Sequence, residues 1–483
     1  MTIGASSPLW TGEELLQAMG ARPVGRLPEA IGGVSIDTRT LQPGDVFFAI
    51  AGLARDGHEF VPQALAAGAA AAVVDEAHAA ALAPLVKERG ALFVTPDVLR
   101  ALEAAGRASR ARMRGRVLAV TGSVGKTSTK EALRLALSGQ GRVHASVASY
   151  NNHWGVPLTV ARMPRETDYG VFEIGMSAPG EIRALVAMVR PHVAVVTAVE
   201  PVHLAYFPSV EAIADAKAEI FEGLEPGGVA VINADGPHAA RLRQRAQAAG
   251  VAQIVTFGES EGADVRLKRL VEQPELSVID ADVMGAPAAW RLGAPGRHLA
   301  MNSLAVIAAV RAAGADVALA ALALAGVQAP EGRGARTRLQ APGGSFLLVD
   351  ESYNANPASM RAAIRTLGAT PPGPRGRRIA VLGDMLELGP QAPELHAALA
   401  AELEDAGVDL VFVAGAMMRH LWDALPQGLR ARYGESPAGL EPHVKAAIRD
   451  GDVVMVKGSN GSRISRVVAA LKSSFPVAGS PGD

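Results

Sequence analysis

Apolar, β-branched runs that stop in glycine or a polar residue recur along the chain, and stretches with helical spacing separate most of them. The run Val117-Leu118-Ala119-Val120 leads into Thr121-Gly122-Ser123-Val124-Gly125-Lys126-Thr127-Ser128, after which a helical pattern continues through Glu131, Leu133, Leu135 and Leu137. Further strand-like runs lie at 170–174, 193–199, 228–232 and 253–257. This alternation predicts a doubly wound parallel sheet over 113–328, with ligands bound beyond the carboxyl ends of its strands. Upstream, runs at 34–36 and 46–50, polar turns and alanine-rich helices predict a small α/β domain over 1–112. Downstream, runs at 346–349, 379–382, 410–413 and 453–456 predict a Rossmann-like domain with one parallel sheet over 329–483. The junction 329–338 holds Pro330, two glycines and three arginines and reads as a hinge. The expected architecture is a three-domain α/β chain.

Strand, glycine loop and helix start, in that order, make a phosphate cradle from Gly122, Ser123, Gly125, Lys126, Thr127 and Ser128. Loop N–H groups and the positive end of the helix dipole face the anion. Lys126 is placed for the β/γ-phosphates and the Thr127 hydroxyl for Mg²⁺. The string is the shorter Thr-Gly-x-x-Gly-Lys-Thr form, because Val120 stands where the general pattern has glycine. Glu173 closes an apolar strand, and a buried carboxylate must be paired or bind metal; a Mg²⁺ ligand and a salt-bridged structural residue fit equally. His203, in the loop after 193–199, reads alone as a structural residue. In the helix that Ser209 caps, Ile213, Ile220, Phe221 and Leu224 form an apolar stripe that Lys217 completes. Pattern alone favours a snorkelling lysine there; the other reading is a neutral, nucleophilic amine able to take up CO₂ as a carbamate. Asp37, Arg39 and His58 read as turn residues. Asn356 and Pro357 read as a helix cap and first turn, and Asn354, Asp384 and Lys457 follow strand ends of one sheet and are expected at one edge.

Composition narrows the classes. With 483 residues, 49% hydrophobic and 20% charged, the chain has material for about three cores. A net charge of −1 gives no footprint for nucleic acid or an anionic membrane. The lack of cysteine excludes disulfides and thiolate chemistry and suits a reducing compartment. No signal-peptide pattern or bilayer-length apolar run is present, so the expectation is a cytoplasmic protein without membrane insertion.

Together the motifs resemble the Mur ligases across essentially the whole chain. The marks are Ser35-Ile36-Asp37-Thr38-Arg39 with Gly57-His58-Glu59-Phe60, the phosphate loop, Asn151-Asn152-His153-Trp154-Gly155-Val156-Pro157, Glu173-Ile174-Gly175 and Ala216-Lys217 through Phe221. The most specific are Asp350-Glu351-Ser352-Tyr353-Asn354-Ala355-Asn356-Pro357 and Leu382-Gly383-Asp384-Met385-Leu386-Glu387-Leu388-Gly389. The resemblance implies ATP-dependent ligation of D-Ala-D-Ala to UDP-MurNAc-tripeptide through an acyl phosphate, by a monomer using ATP and two Mg²⁺ ions. It implies Thr127 and Glu173 as ligands of one ion and His203 with carbamylated Lys217 as ligands of the other, reversing the pattern-only reading of Lys217. It further implies His298 and Asn302 on the adenine side, Arg333 and Asn354 near the nucleotide, and Asp37, Thr38, Arg39, Asn151, Asn152 and Asp384 toward the substrates. Leu299 stands where the family often has asparagine. Rival readings are a folylpolyglutamate-synthase-type ligase and a nucleotide-dependent switch. The two specific segments argue against the first. A metal-side glutamate and a lysine on an apolar helix face argue against the second.

Overall fold

A computed structural model of the chain describes residues 8–52, 54–86, 90–147, 149–202, 205–273 and 275–478. Three sheets organise it. The first contains β1 (Arg22–Gly25), β2 (Gly33–Ser35), β3 (Asp45–Phe48), β4 (Ala71–Asp75) and β5 (Ala91–Thr95) in the order β1-β5-β4-β3-β2, parallel except for β1. Strands β3 to β5 are buried on both faces, which is why they read as apolar runs rather than alternating ones.

The second sheet has nine strands: β6 (Arg116–Thr121), β7 (Val143–Ala145), β8 (Tyr169–Glu173), β9 (Val193–Val196), β10 (Val229–Asn233), β11 (Gln253–Gly258), β12 (Val265–Glu272), β13 (Ser277–Val283) and β14 (Ala286–Leu292). Their order is β14-β13-β12-β11-β10-β9-β6-β8-β7. Strand β6 thus lies between β8 and β9, and Val120 pairs with Glu173 while Thr121 pairs with Val196. The loop after β6 is thereby flanked by the ends of both neighbours. The expectation of a wholly parallel sheet is corrected at one edge, where β12, β13 and β14 form an antiparallel meander. Strand β13 alternates buried and half-buried positions, whereas the Ala-Pro-Ala-Ala start of β14 carries little strand propensity. Strand β9 ends at Val196, three residues short of the apolar run, because the next segment turns to bond the phosphate loop.

The third sheet contains β15 (Ala335–Ala341), β16 (Gly344–Glu351), β17 (Arg378–Gly383), β18 (Leu410–Ala414), β19 (Arg430–Gly434) and β20 (Val453–Lys457), ordered β15-β16-β20-β17-β18-β19. It is parallel apart from β15, which pairs antiparallel with β16. The expected hinge therefore folds into a strand from Ala335 onward, and only its first residues connect the sheets. Strands β16, β20 and β17 are neighbours, which brings the segments after them to one edge.

Local signals hold in the next layer. Asn356 caps the helix Pro357–Ala369: its side chain accepts from Ser359 N–H, and the Ser359 hydroxyl receives the Asn356 N–H. The helix that carries His298 and Asn302 spans Arg297–Ala312, with Gly296 at φ 120° before it. The helix from Val210 tightens into 3₁₀ geometry over Glu219–Gly223. Replacing Asn356 with alanine removes a reciprocal cap and should cost about 1 kcal/mol, read as a lowered urea midpoint of the full chain with an unchanged slope.

Candidate active site

Strand β6 delivers the phosphate loop and the helix Lys126–Ser138 receives it. Gly122 sits at φ 154°, where a Cβ would collide with Thr197 Oγ1, and Gly125 sits at φ 83° with its Cβ position 2.8 Å from the Asn302 side chain. Only glycine meets both demands. The segment after β9 fixes the loop: Ser123 N–H donates to Ala198 O at 2.8 Å, Thr197 Oγ1 to Val124 O at 2.6 Å, and Ser123 Oγ to Glu200 O at 3.0 Å.

Lys126 folds back over this loop and donates to Gly122 O at 2.7 Å. Burial lowers its pKa, with Glu173 opposing that shift and Arg333 adding to it. Glu173, at the end of β8, is 0% exposed. Each of its carboxylate oxygens receives a neutral donor: Thr127 Oγ1 at 2.8 Å and Asn151 Nδ2 at 2.6 Å. Ser149 Oγ lies 3.4 Å from Thr127 Oγ1 and accepts from Arg333 Nη2 at 3.3 Å. The Arg333 guanidinium also covers the Tyr353 ring at 4.3 Å. Thr127, Glu173, Asn151, Ser149 and Arg333 therefore form one polar cluster at a helix N-terminus.

Lys217 is 2% exposed on the helix Val210–Ala218. Among the described residues its amine has no hydrogen-bond or ion-pair partner. Burial, joined by repulsion from Lys126, holds its pKa well below the usual lysine value. His203 lies outside the described residues.

The remaining expected residues fall at several places. Asn302 packs on the phosphate loop at Gly125. His298 lines a cavity of about 690 Å³ between the second and third sheets, with Gln273, Arg297, Met301, Arg336 and Thr366. Leu299 is buried and faces the core instead. Lys457 Nζ donates to the Asn354 carbonyl at 3.0 Å and pairs with Glu351 at 3.3 Å. Asp384 is fixed on the same edge, its Oδ1 accepting Met418 N–H and its carbonyl accepting Ser459 N–H. The Asn152 side-chain oxygen accepts the N–H groups of Trp154 and Gly155, so it caps the helix Gly155–Ala161. Asp37 and Arg39 pair through Nε and Nη2, and this contact holds the Asp37 pKa low. Thr38 Oγ1 donates to Gln63 at 3.4 Å.

Sequence reasoning did not single out Ser149, Thr197 or Ser459. Each is a small hydroxyl residue just after or between marked segments, and only the fold gives it a partner. His396 was also missed: its Nε2 accepts Met385 N–H at 3.0 Å behind the Asp384 loop.

This donor set fits a hard divalent cation. Thr127 Oγ1 and the Glu173 carboxylate are oxygens, converge at 2.8 Å and face the anion cradle. A buried amine at Lys217 with no partner among the described residues fits conversion to a carbamate, which would add oxygen ligands.

Three family models match the chain: "Mur ligase family, catalytic domain" over 30–110, "Mur ligase middle domain" over 120–310 and "Mur ligase, glutamate ligase domain" over 336–460. The chain is 34% identical to UDP-N-acetylmuramoyl-tripeptide–D-alanyl-D-alanine ligase of Bacillus subtilis over 444 residues, covering 91% of this chain and 93% of that one. Identity to the Escherichia coli protein of the same name is 34% over 453 residues, with 91% and 93% covered. Among solved structures, MurF from Acinetobacter baumannii superimposes with a TM-score of 0.82 at 28% identity, covering 96% of this chain and 99% of that one. MurF ligase from Thermotoga maritima in complex with ADP superimposes with a TM-score of 0.74 at 26% identity, covering 91% and 97%.

Gly122→Ala should weaken ATP binding about tenfold or more, since strain of 1–3 kcal/mol is added at the cradle. Calorimetric titration with ATP on the folded variant is the check, and unchanged affinity would contradict the geometry described.

Proposed function

The chain belongs to the Mur ligase family, and we propose from that premise that it joins D-alanyl-D-alanine to UDP-N-acetylmuramoyl-tripeptide while ATP is converted to ADP and phosphate. The observation that carries this reading is the cluster of Thr127, Glu173 and Asn151 at the phosphate loop, met by Arg333 from beyond the hinge. An oxygen of the tripeptide carboxylate attacks the γ-phosphorus, the bond to ADP breaks, and an acyl phosphate forms. The dipeptide amine, having lost its ammonium proton, attacks the acyl carbon; the tetrahedral adduct expels phosphate and leaves the amide. Phosphoryl transfer asks mainly for positioning and charge neutralisation.

The residues divide that work. Gly122, Ser123, Gly125 and Ser128 cradle the phosphates, and Lys126 turns from its loop carbonyls toward the transferred group. Thr127 and Glu173 would hold one Mg²⁺, and His203 with carbamylated Lys217 a second. Bound there, such ions supply charge neutralisation to the phosphate oxygens. The low pKa of Lys217 supports the carbamate: the neutral amine adds to the carbon of CO₂, a proton leaves to solvent, and an oxyanion replaces a neutral amine. Asn302 and His298 border the nucleotide from one side, and Arg333 and Asn354 from the other. Residues 1–112 take the UDP end, near Asp37, Thr38 and Arg39; 113–328 bind ATP; 329–483 complete the nucleotide site and present Asp384 toward the dipeptide. Asn151 orients Glu173, and Asn152 shapes the turn that carries Asn151. We read the chain as a monomer that acts in the cytoplasm, where ATP and the nucleotide-linked acceptor are found.

In an assay of ADP release, turnover should require the tripeptide and D-Ala-D-Ala together, and glutamate should not replace the dipeptide. Release that needs neither co-substrate would favour the switch reading. Lys217→Ala should reduce kcat about 100-fold or more. With ¹³C-bicarbonate the parent protein should show a carbamate carbon resonance that this variant lacks; a resonance persisting in the variant would refute the assignment.

A further inference from the structure

Away from the phosphate loop, the first sheet carries a ring of four groups that the ligation does not use. Asp56 precedes the 3₁₀ turn Gly57–Phe60 that bears His58, and Asp75 closes β4 just before the helix Glu76–Leu82 that bears His78. The two imidazoles stack at 4.0 Å with their planes 12° apart. Ligand atoms of Asp56, His58 and His78 all lie within 4.8 Å of one another.

Hydrogen bonds settle which atoms are taken. His58 is buried; its Nε2 accepts Asp75 N–H at 3.1 Å, so its proton sits on Nδ1 and goes to Asp56 Oδ1 at 2.6 Å. Asp56 Oδ1 also accepts His58 N–H at 3.0 Å. His78 Nδ1 faces Asp75 Oδ1 at 2.7 Å and donates to it. Hydrogen bonds from the histidines hold both aspartates below the usual carboxylate range, against the opposing effect of burial. Three acceptor atoms of the ring remain without a donor among the described residues, Asp75 Oδ2, His78 Nε2 and Asp56 Oδ2, and the last two converge. These two face each other at 3.8 Å.

Two lone pairs that converge on one gap repel unless a proton, a bridging water or a cation lies between them. The gap is too long for an N–H···O hydrogen bond. It is shorter than the sum of one metal–imidazole and one metal–carboxylate bond, about 4.2 Å for zinc, so an ion can bind both atoms at a bent angle. The surroundings have the form that metal sites use: a carboxylate on the far nitrogen of the ligating histidine fixes its tautomer, and a second histidine anchors the ligating carboxylate. The His78 side chain is 42% exposed, which gives entry and room for water ligands.

We propose that Asp56 Oδ2 and His78 Nε2 bind a divalent transition-metal cation of the zinc class, clipping the turn before Gly57 to the end of β4. One imidazole and one carboxylate select such ions over Mg²⁺, which takes oxygen ligands. The turn itself is rigid. Gly57 has no room for a Cβ beside the Ile50 backbone, and Asp56 forms a bridge to Ala51.

The test uses tag-free, full-length protein in saturating Mg²⁺, which occupies the oxygen-ligand sites. Co²⁺ titrated into the parent protein should give ligand-field absorption with one equivalent, displaced by Zn²⁺, and Zn²⁺ should raise the melting temperature. His78→Ala and His78→Gln should both lose that equivalent and the thermal shift. Their metal-free melting temperature and their Mg²⁺-supported ligation should stay at the parent level, because His78 touches none of the ligation residues. Equal Co²⁺ stoichiometry in parent and variants would overturn the proposal. So would a His78 resonance that shows a protonated ring at neutral pH and does not respond to Zn²⁺.

Discussion

Glu173 is a carboxylate with no exposed surface, held directly, among the described residues, by two uncharged donors. Burying such a group costs several kcal/mol unless charge elsewhere offsets it. The nearest compensation is Lys126, whose pKa Glu173 supports, and Lys126 in turn depresses Lys217. Three charge-bearing groups thus share one cleft without direct pairing. On the proposed function, that arrangement suits an anion at the helix N-terminus, cations beside the carboxylate and CO₂ on the amine. Much of the surrounding loop geometry follows from holding these groups apart yet within reach of one ligand.

Topology sets that spacing. Because β6 lies between β8 and β9, the phosphate loop has Glu173 on one flank and the Thr197 segment on the other, each one strand away. Groups from the carboxy-terminal part of the chain also reach this edge. Arg333 reaches Ser149, and Ala205 N–H approaches Glu387 O at 3.4 Å. Single hydrogen bonds of this kind contribute about 0.5–1.5 kcal/mol each, so these two contacts add modest stability to the junction.

What was legible in the sequence was what short segments decide for themselves. The phosphate loop and the Asn356 cap each depend on neighbours within a few residues, and each stands where the pattern put it; Lys217 does not, since pattern alone favoured a snorkelling side chain and the residue is 2% exposed. Asn152 shows the limit: adjacent to Asn151 and indistinguishable from it in type, it turns its oxygen to a helix cap while Asn151 meets Glu173. The partners of Ser149, Thr197 and Ser459 come from distant strands, so no local pattern marks them. The helix from Arg297 begins before its apolar rhythm does, and the β12–β14 meander hides among alanines and prolines. Both are tertiary choices that override weak propensity.

The third sheet adds a rigid element at the same edge. The loop after β17 is tied down at successive residues: Asp384 by Met418 and Ser459, Met385 by His396, and Leu386 by the Ser459 hydroxyl. His396 is fully buried, with its other nitrogen on the Ala392 carbonyl at 2.6 Å, and burial holds its pKa low. A neutral ring is what the Met385 contact requires, since a protonated Nε2 could not accept that N–H. The shelf is therefore preorganised before any substrate arrives, as is the phosphate loop across the cleft. With both faces rigid, the variable left to binding is the distance between them. On the proposed reaction the acyl phosphate needs shielding from water, which closure of these two faces over the bound substrates would supply.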